Sequence, residues 1–290
     1  MKPCSSQAYA KFIVSGEHAV LAGAPCLVYP LKAAQLRLQL SDAKTSFEVT
    51  LNGVLLDGTR QRKVFEAALL AGLDRKRLEA SAIEIETSIP LGSGLGSSAS
   101  LCVALARLAH PTGNDQMIFE SALNAEALFH GHSSGADPAG VCAKGPLLYR
   151  MQGRKRVPFL IANSAPYVWV LRASGTEHAS ADVITATAKS PALSRLIEVS
   201  EKVPQILAQG EWKKLPSALE SICEIHRSMG LVDSSLENAF ATMRSEGAVA
   251  TKLTGAGRGG FALGLFPKDA IPELKKGNFI VSLSGNDEGV

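Results

Sequence analysis

Between Gly92 and Ser100 the chain runs Gly92-Ser93-Gly94-Leu95-Gly96-Ser97-Ser98-Ala99-Ser100, and only Leu95 has a side chain larger than a hydroxymethyl group. Backbone this bare can come close to a ligand. Its glycines can take positive φ and aim successive N–H groups into one concavity, and a helix starting just after would add its positive N-terminal end. Between a strand and an apolar helix, such a loop reads as a polyphosphate cradle; a plain Gly/Ser turn capping the helix is the alternative. No Lys follows the last glycine, so it is not a Walker A loop. A separate Gly-x-Gly-x-x-Gly match at Gly255, Gly257 and Gly260 precedes the strand-like Phe261 to Phe266, where a dinucleotide fold requires a helix.

Around this loop, hydrophobic periodicity predicts strands at Tyr9 to Val14, Gln35 to Leu40, Phe47 to Leu51 and Ala82 to Glu86, and a helix from Arg62 to Ala71 stopping at Gly72. Helices are expected from Ser97 to about His110 and from about Asp115 to Phe129, followed by a Gly- and Ser-rich loop from His130 to Gly140. A second region begins near Val157. It holds a buried strand at Tyr167 to Leu171, three or four helical stretches between His178 and Glu246, and strands at Ala248 to Leu253 and Phe261 to Phe266. Strands, then helices, then strands again is an α+β order, with one division near residues 150 to 160.

Composition narrows the function classes. The 30 Lys and Arg nearly balance the 27 Asp and Glu, and the densest basic stretch, Arg150 to Arg156, reads as a solvated turn, so neither nucleic acid nor a membrane surface is an expected partner. The most apolar stretch, Ala19 to Leu31, is too short to span a bilayer and is broken by Gly23, Pro25 and Pro30. Five widely spaced cysteines without a C-x-x-C pair point to a reducing, cytoplasmic location.

Gly92 to Ala99 resembles the second signature of the GHMP kinases, the superfamily of galactokinase, homoserine kinase, mevalonate kinase and phosphomevalonate kinase. Lys11-Phe12-Ile13-Val14-Ser15-Gly16-Glu17-His18-Ala19-Val20 resembles the first signature. Lys252-Leu253-Thr254-Gly255-Ala256-Gly257-Arg258-Gly259-Gly260 resembles the third. The resemblance implies a two-lobed α+β fold: a ribosomal protein S5 domain 2-like, ATP-binding lobe over residues 1–155 and a ferredoxin-like lobe over residues 156–290. It also implies an ATP- and Mg²⁺-dependent kinase acting on a small-molecule alcohol, and is compatible with a homodimer.

Phosphoryl transfer needs in-line positioning, cations on the transferring oxygens and a group that orients or deprotonates the acceptor. The resemblance assigns the triphosphate to Gly92, Ser93, Gly94, Leu95, Gly96, Ser97 and Ser98, and Mg²⁺ to Ser98 and Glu126. It makes Asp137 the catalytic base. Read alone, Asp137 lies in a loop of small residues and reads first as a cap for the segment after Pro138. Lys11, an ammonium among Phe12, Ile13 and Val14, is awkward unless it has a partner; beside Asp137 it would keep that carboxylate ionised.

Among the superfamily, Gly16 to Leu21 and His130-Gly131 resemble the mevalonate kinases, which implies that Glu17, His18 and Thr254, Gly255, Ala256 and Gly257 contact the acceptor. The sequence departs from that pattern at Ser133, Pro138, Glu177 and Arg258. A phosphomevalonate kinase, or a GHMP-fold sensor without turnover, are the other readings.

Overall fold

The computed structural model describes residues 4–43, 46–130, 133–176, 187, 190–273 and 277–283. Gly131 and Glu177, on which expectations rested, lie outside the described residues. The chain divides into two compact units, one of residues 1–10, 31–90 and 96–142, the other of residues 11–30, 91–95 and 143–290. Both long N-terminal strands, β1 (Cys4–Ser15) and β2 (Cys26–Asp42), run through both units. They extend well beyond the short strands expected from periodicity. From Ala10 onward β1 is buried on both faces, so its sequence has no alternation to mark where it ends.

In the first unit, β3 (Glu48–Leu51) pairs with β4 (Val54–Leu55) and runs parallel to β5 (Ser81–Thr87), which pairs antiparallel with the second half of β2, Leu38 opposite Ile85. Helix α1 (Gly58–Leu70) starts at an Asp57 cap whose side chain accepts from the Arg60 N–H, and α2 (Arg75–Glu79) starts the same way at Asp74. Helices α3 (Ser97–Ala109), α4 (Asp115–His130) and α5 (Ala136–Cys142) pack on one another. Here the sequence reading needs correction, since Asp137 stands in the first turn of α5 rather than in an open loop. Pro138 permits this, because the first-turn N–H it lacks would have had no helical partner.

In the second unit, β2 begins by pairing with β6 (Leu147–Arg150), and β6 pairs with β7 (Lys155–Pro158). The basic stretch therefore forms a hairpin rather than a simple turn. A four-stranded antiparallel sheet follows in the order β11-β8-β10-β9, made of β8 (Tyr167–Ala173), β9 (Ala250–Thr254), β10 (Phe261–Pro267) and β11 (Phe279–Ser282). Helices α6 (Leu193–Gln209), α7 (Leu215–Ser228) and α8 (Ser234–Ser245) complete the unit. Val168, Val170, Leu253, Ala262 and Phe266 of the sheet bury against Cys223, Leu236, Phe240 and Met243 of α7 and α8. Among the described residues no helix is long and apolar enough to cross a membrane.

Candidate active site

The glycine loop adopts the geometry its composition allows: Gly92, Gly94 and Gly96 all have positive φ, at 62°, 79° and 80°. Gly96 caps α3, so Ser97 and Ser98 occupy the first turn, where helix N–H groups have no intrahelical acceptor. The boundary between the two units falls inside this loop, between Leu95 and Gly96.

In the second unit the three glycine-containing motifs meet at Gly94. Lys11 is 1% exposed; its ammonium donates to the Gly94 carbonyl at 2.9 Å, and its backbone N–H donates to the Leu95 carbonyl at 2.9 Å. From the third motif, Gly255 lies over the same residue with φ at 97°, where a Cβ would come within 3.2 Å of the Gly94 Cα. Only a glycine satisfies both the torsion and the gap. The Thr254 hydroxyl accepts the Ile13 N–H at 2.8 Å, which pins the third motif to the first and leaves the hydroxyl proton free to donate.

Glu17 and His18, both buried, come just before a 3₁₀ turn, Ala19–Ala22, of which His18 is the N-cap. The Glu17 carboxylate takes a hydrogen bond from the Lys252 ammonium, which also donates to the Leu253 carbonyl; both side chains are 1% exposed. Burial pushes the Glu17 carboxyl above its ordinary value and the Lys252 charge pulls it partly back. His18 donates from Nε2 to the Ala256 carbonyl at 2.9 Å; because a carbonyl only accepts, this bond puts the proton on Nε2 and leaves Nδ1 as an acceptor. Its pKa is pushed down to about 4, first by burial and also by Lys252. Sequence reasoning did not single out Lys252. The signal that drew attention to Lys11, an ammonium in an apolar strand, is equally present in β9.

The first unit carries the remaining candidates. Ser98 opens α3, Glu126 lies on α4 and Asp137 on α5, three helices in mutual contact. Glu126 is not the surface residue that its polar type suggests: it is 1% exposed and accepts the Ser133 hydroxyl. Ser133 in turn accepts the Gly135 N–H at 3.0 Å, so the turn into α5 is tied to the Glu126 carboxylate. Burial, and then the Glu126 charge, raise the Cys102 thiol pKa on α3. A serine hydroxyl and a buried carboxylate are the hard oxygen donors that suit Mg²⁺, which takes only one or two ligands from protein when phosphates supply others.

Known proteins resemble this chain in both sequence and fold. Residues 62–145 match the GHMP kinases N terminal domain and residues 205–277 match the GHMP kinases C terminal family, together more than half of the chain. A mevalonate kinase of Archaeoglobus fulgidus is 29% identical over 282 residues, spanning 93% of this chain and 94% of that protein. The crystal structure of L. major mevalonate kinase in complex with R-mevalonate is similar with a TM-score of 0.73 and 25% identity, over 92% of this chain and 88% of that one. Streptococcus pneumoniae phosphomevalonate kinase in complex with phosphomevalonate and AMPPNP superposes with a TM-score of 0.76, over 91% of this chain and 92% of that one. Its 15% identity makes this a likeness of fold alone.

Proposed function

The chain belongs to the GHMP kinases, and from that premise we propose that it transfers the γ-phosphoryl group of ATP to the C5 hydroxyl of mevalonate, giving 5-phosphomevalonate for isoprenoid precursor synthesis. The observation that carries this reading is the meeting of three separate motifs at Gly94, in a chain whose full-length relatives are mevalonate kinases. Fold likeness does not favour this acceptor over phosphomevalonate; the near full-length sequence identity does.

In this reading the N–H groups of the Gly92–Ser98 loop and the N-terminus of α3 hold the triphosphate. Ser98 and Glu126 would hold Mg²⁺, which when bound offsets charge on the phosphate oxygens. Asp137 takes the proton of the acceptor hydroxyl, and Lys11 is the second catalytic residue, supplying a positive charge and fixing the loop through Gly94. His18 Nδ1, the Thr254 hydroxyl and the backbone of Gly255 to Gly257 orient the acceptor, with Glu17 holding Lys252 behind them. The proposed lobes, residues 1–155 and 156–290, have the family matches on either side of residue 155, whereas the compact units of the fold interleave along the chain and last change at residue 142. A cytoplasmic homodimer is part of the same proposal.

The test is a coupled ADP-release assay with ATP and Mg²⁺ that offers mevalonate, 5-phosphomevalonate, homoserine and galactose in parallel. Turnover selective for mevalonate is the expected result, and selectivity for any other alcohol replaces the acceptor.

A further inference from the structure

Several buried polar groups of the second unit have no role in the scheme above. Among the described residues, Ser200 Oγ, Thr251 Oγ1 and both ring nitrogens of His226 are buried without a hydrogen-bond partner. His226 is the most costly of these. It is fully buried on α7, and an imidazole there carries a donor and an acceptor that a leucine of similar size would not. Helix packing alone gives no reason to place a histidine at this position.

What the His226 ring touches is His18. The two rings meet edge to face, with centroids 6.2 Å apart and planes at 75°. This packing is directional, setting the positive edge of one ring on the electron-rich face of the other, whereas an aliphatic side chain would leave its neighbour free to turn. His18 needs such a restraint. Its backbone has φ 62° and ψ −42°, outside the regions that L residues ordinarily occupy, and such torsions persist only where the surroundings over-determine them. On its other side the same ring holds the Ala256 carbonyl of the third glycine loop.

We propose that His226 is a positioning residue for His18: its ring fixes the plane of the His18 imidazole and, through the Nε2–H bond to the Ala256 carbonyl, the third glycine loop. Electrostatics are compatible with this contact. Burial lowers both histidine pKa values, His226 well below its ordinary value, and the Lys252 charge acts in the same direction on each, so two uncharged rings meet at neutral pH. The consequence for catalysis rests on the reading of His18 and the Thr254–Gly257 segment as acceptor-binding. On that reading His226 acts directly on the acceptor side, and its one link to the nucleotide is the Gly255–Gly94 contact next to Ala256.

The experiment compares wild type with His226→Leu, which removes the ring and its unpartnered nitrogens at nearly constant volume. His226→Gln carries the same comparison should the leucine variant not fold. In ligand-free protein with ¹⁵N-labelled histidine, the His18 Nε2 resonance, assigned through His18→Gln, is expected to move. In steady-state kinetics the KM for mevalonate is expected to rise about three- to tenfold while the KM for ATP stays within about twofold. A folded variant whose His18 resonance is unchanged overturns the inference, as does a parallel rise of both KM values, which would mean general loosening. Absence of mevalonate turnover by wild type overturns the proposed function instead, and the resonance then decides whether His226 positions His18.

Discussion

The ammonium of Lys11 donates to the carbonyl of Gly94 at 2.9 Å, so a residue of the first motif holds the backbone of the phosphate loop directly. This gives the lysine a task in the ligand-free protein, before any charge develops on a substrate. Lys11→Met should lower kcat by about 10²- to 10³-fold and also weaken ATP binding, since it removes both the charge and the loop's restraint. Stopped-time ADP release and nucleotide titration read the two effects. A kcat within threefold of wild type would remove Lys11 from the mechanism.

Asp137 is the proposed proton acceptor and makes no proposed contact with nucleotide. Asp137→Asn should reduce kcat by about 10²- to 10⁴-fold with the ATP dissociation constant nearly unchanged. Ser98→Ala should instead raise the Mg²⁺ concentration at half-maximal rate, about tenfold, because one hard oxygen donor is lost. An Asp137 variant of near-normal rate, or a Ser98 variant of unaltered Mg²⁺ dependence, would contradict the respective assignment.

The buried Glu17–Lys252 pair makes a separate prediction about stability. Glu17→Leu leaves an ammonium without a counter-ion in the interior and should destabilise the fold by about 3–5 kcal/mol, whereas Glu17→Leu combined with Lys252→Met should recover most of that loss. Urea denaturation of wild type, both single variants and the double variant measures the coupling. Simple additivity of the two substitutions would show that the pair does not act as a unit.

How much of this was legible in the sequence depended on whether the signal was local. The torsions of Gly92, Gly94 and Gly96 and the start of α3 at Ser97 follow from a few adjacent residues and could be read directly. Asp137 could not be placed correctly, because α5 is only seven residues long and opens with Ala, Asp and Pro, a composition equally suited to a turn. The pairing of Glu17 with Lys252 and the contact of His18 with His226 join residues more than 200 positions apart, and nothing in either segment names its partner. The burial of Glu126 was not legible for a related reason: it depends on helices α3 and α5 packing on α4, not on the periodicity of α4 itself.

Acid should weaken the fold in a defined window. Above its ordinary pKa of 6.5, His18 is neutral both folded and unfolded, and stability is full. As pH falls from 6.5 toward about 4, the unfolded chain binds a proton that the folded protein refuses, so stability declines. His226 shifts in the same direction. From pH 7 to 5.5 the His18 shift should cost about 1 kcal/mol, and His226→Leu should remove a further part of the slope. Urea midpoints at the two pH values test this, and a variant with the full wild-type slope would exclude His226 as a source.

The gap between Gly255 and Gly94 sets the two loops mechanically in series. A methyl group at residue 255 would sit 3.2 Å from the Gly94 Cα, tighter than ordinary contact, so a branch added there presses on the phosphate loop. A lineage descended from this chain could exchange side chains around the acceptor with some freedom. It could not reshape the proposed acceptor site at residue 255 without disturbing the phosphate loop, so its drift toward new alcohols would run through every position but this one.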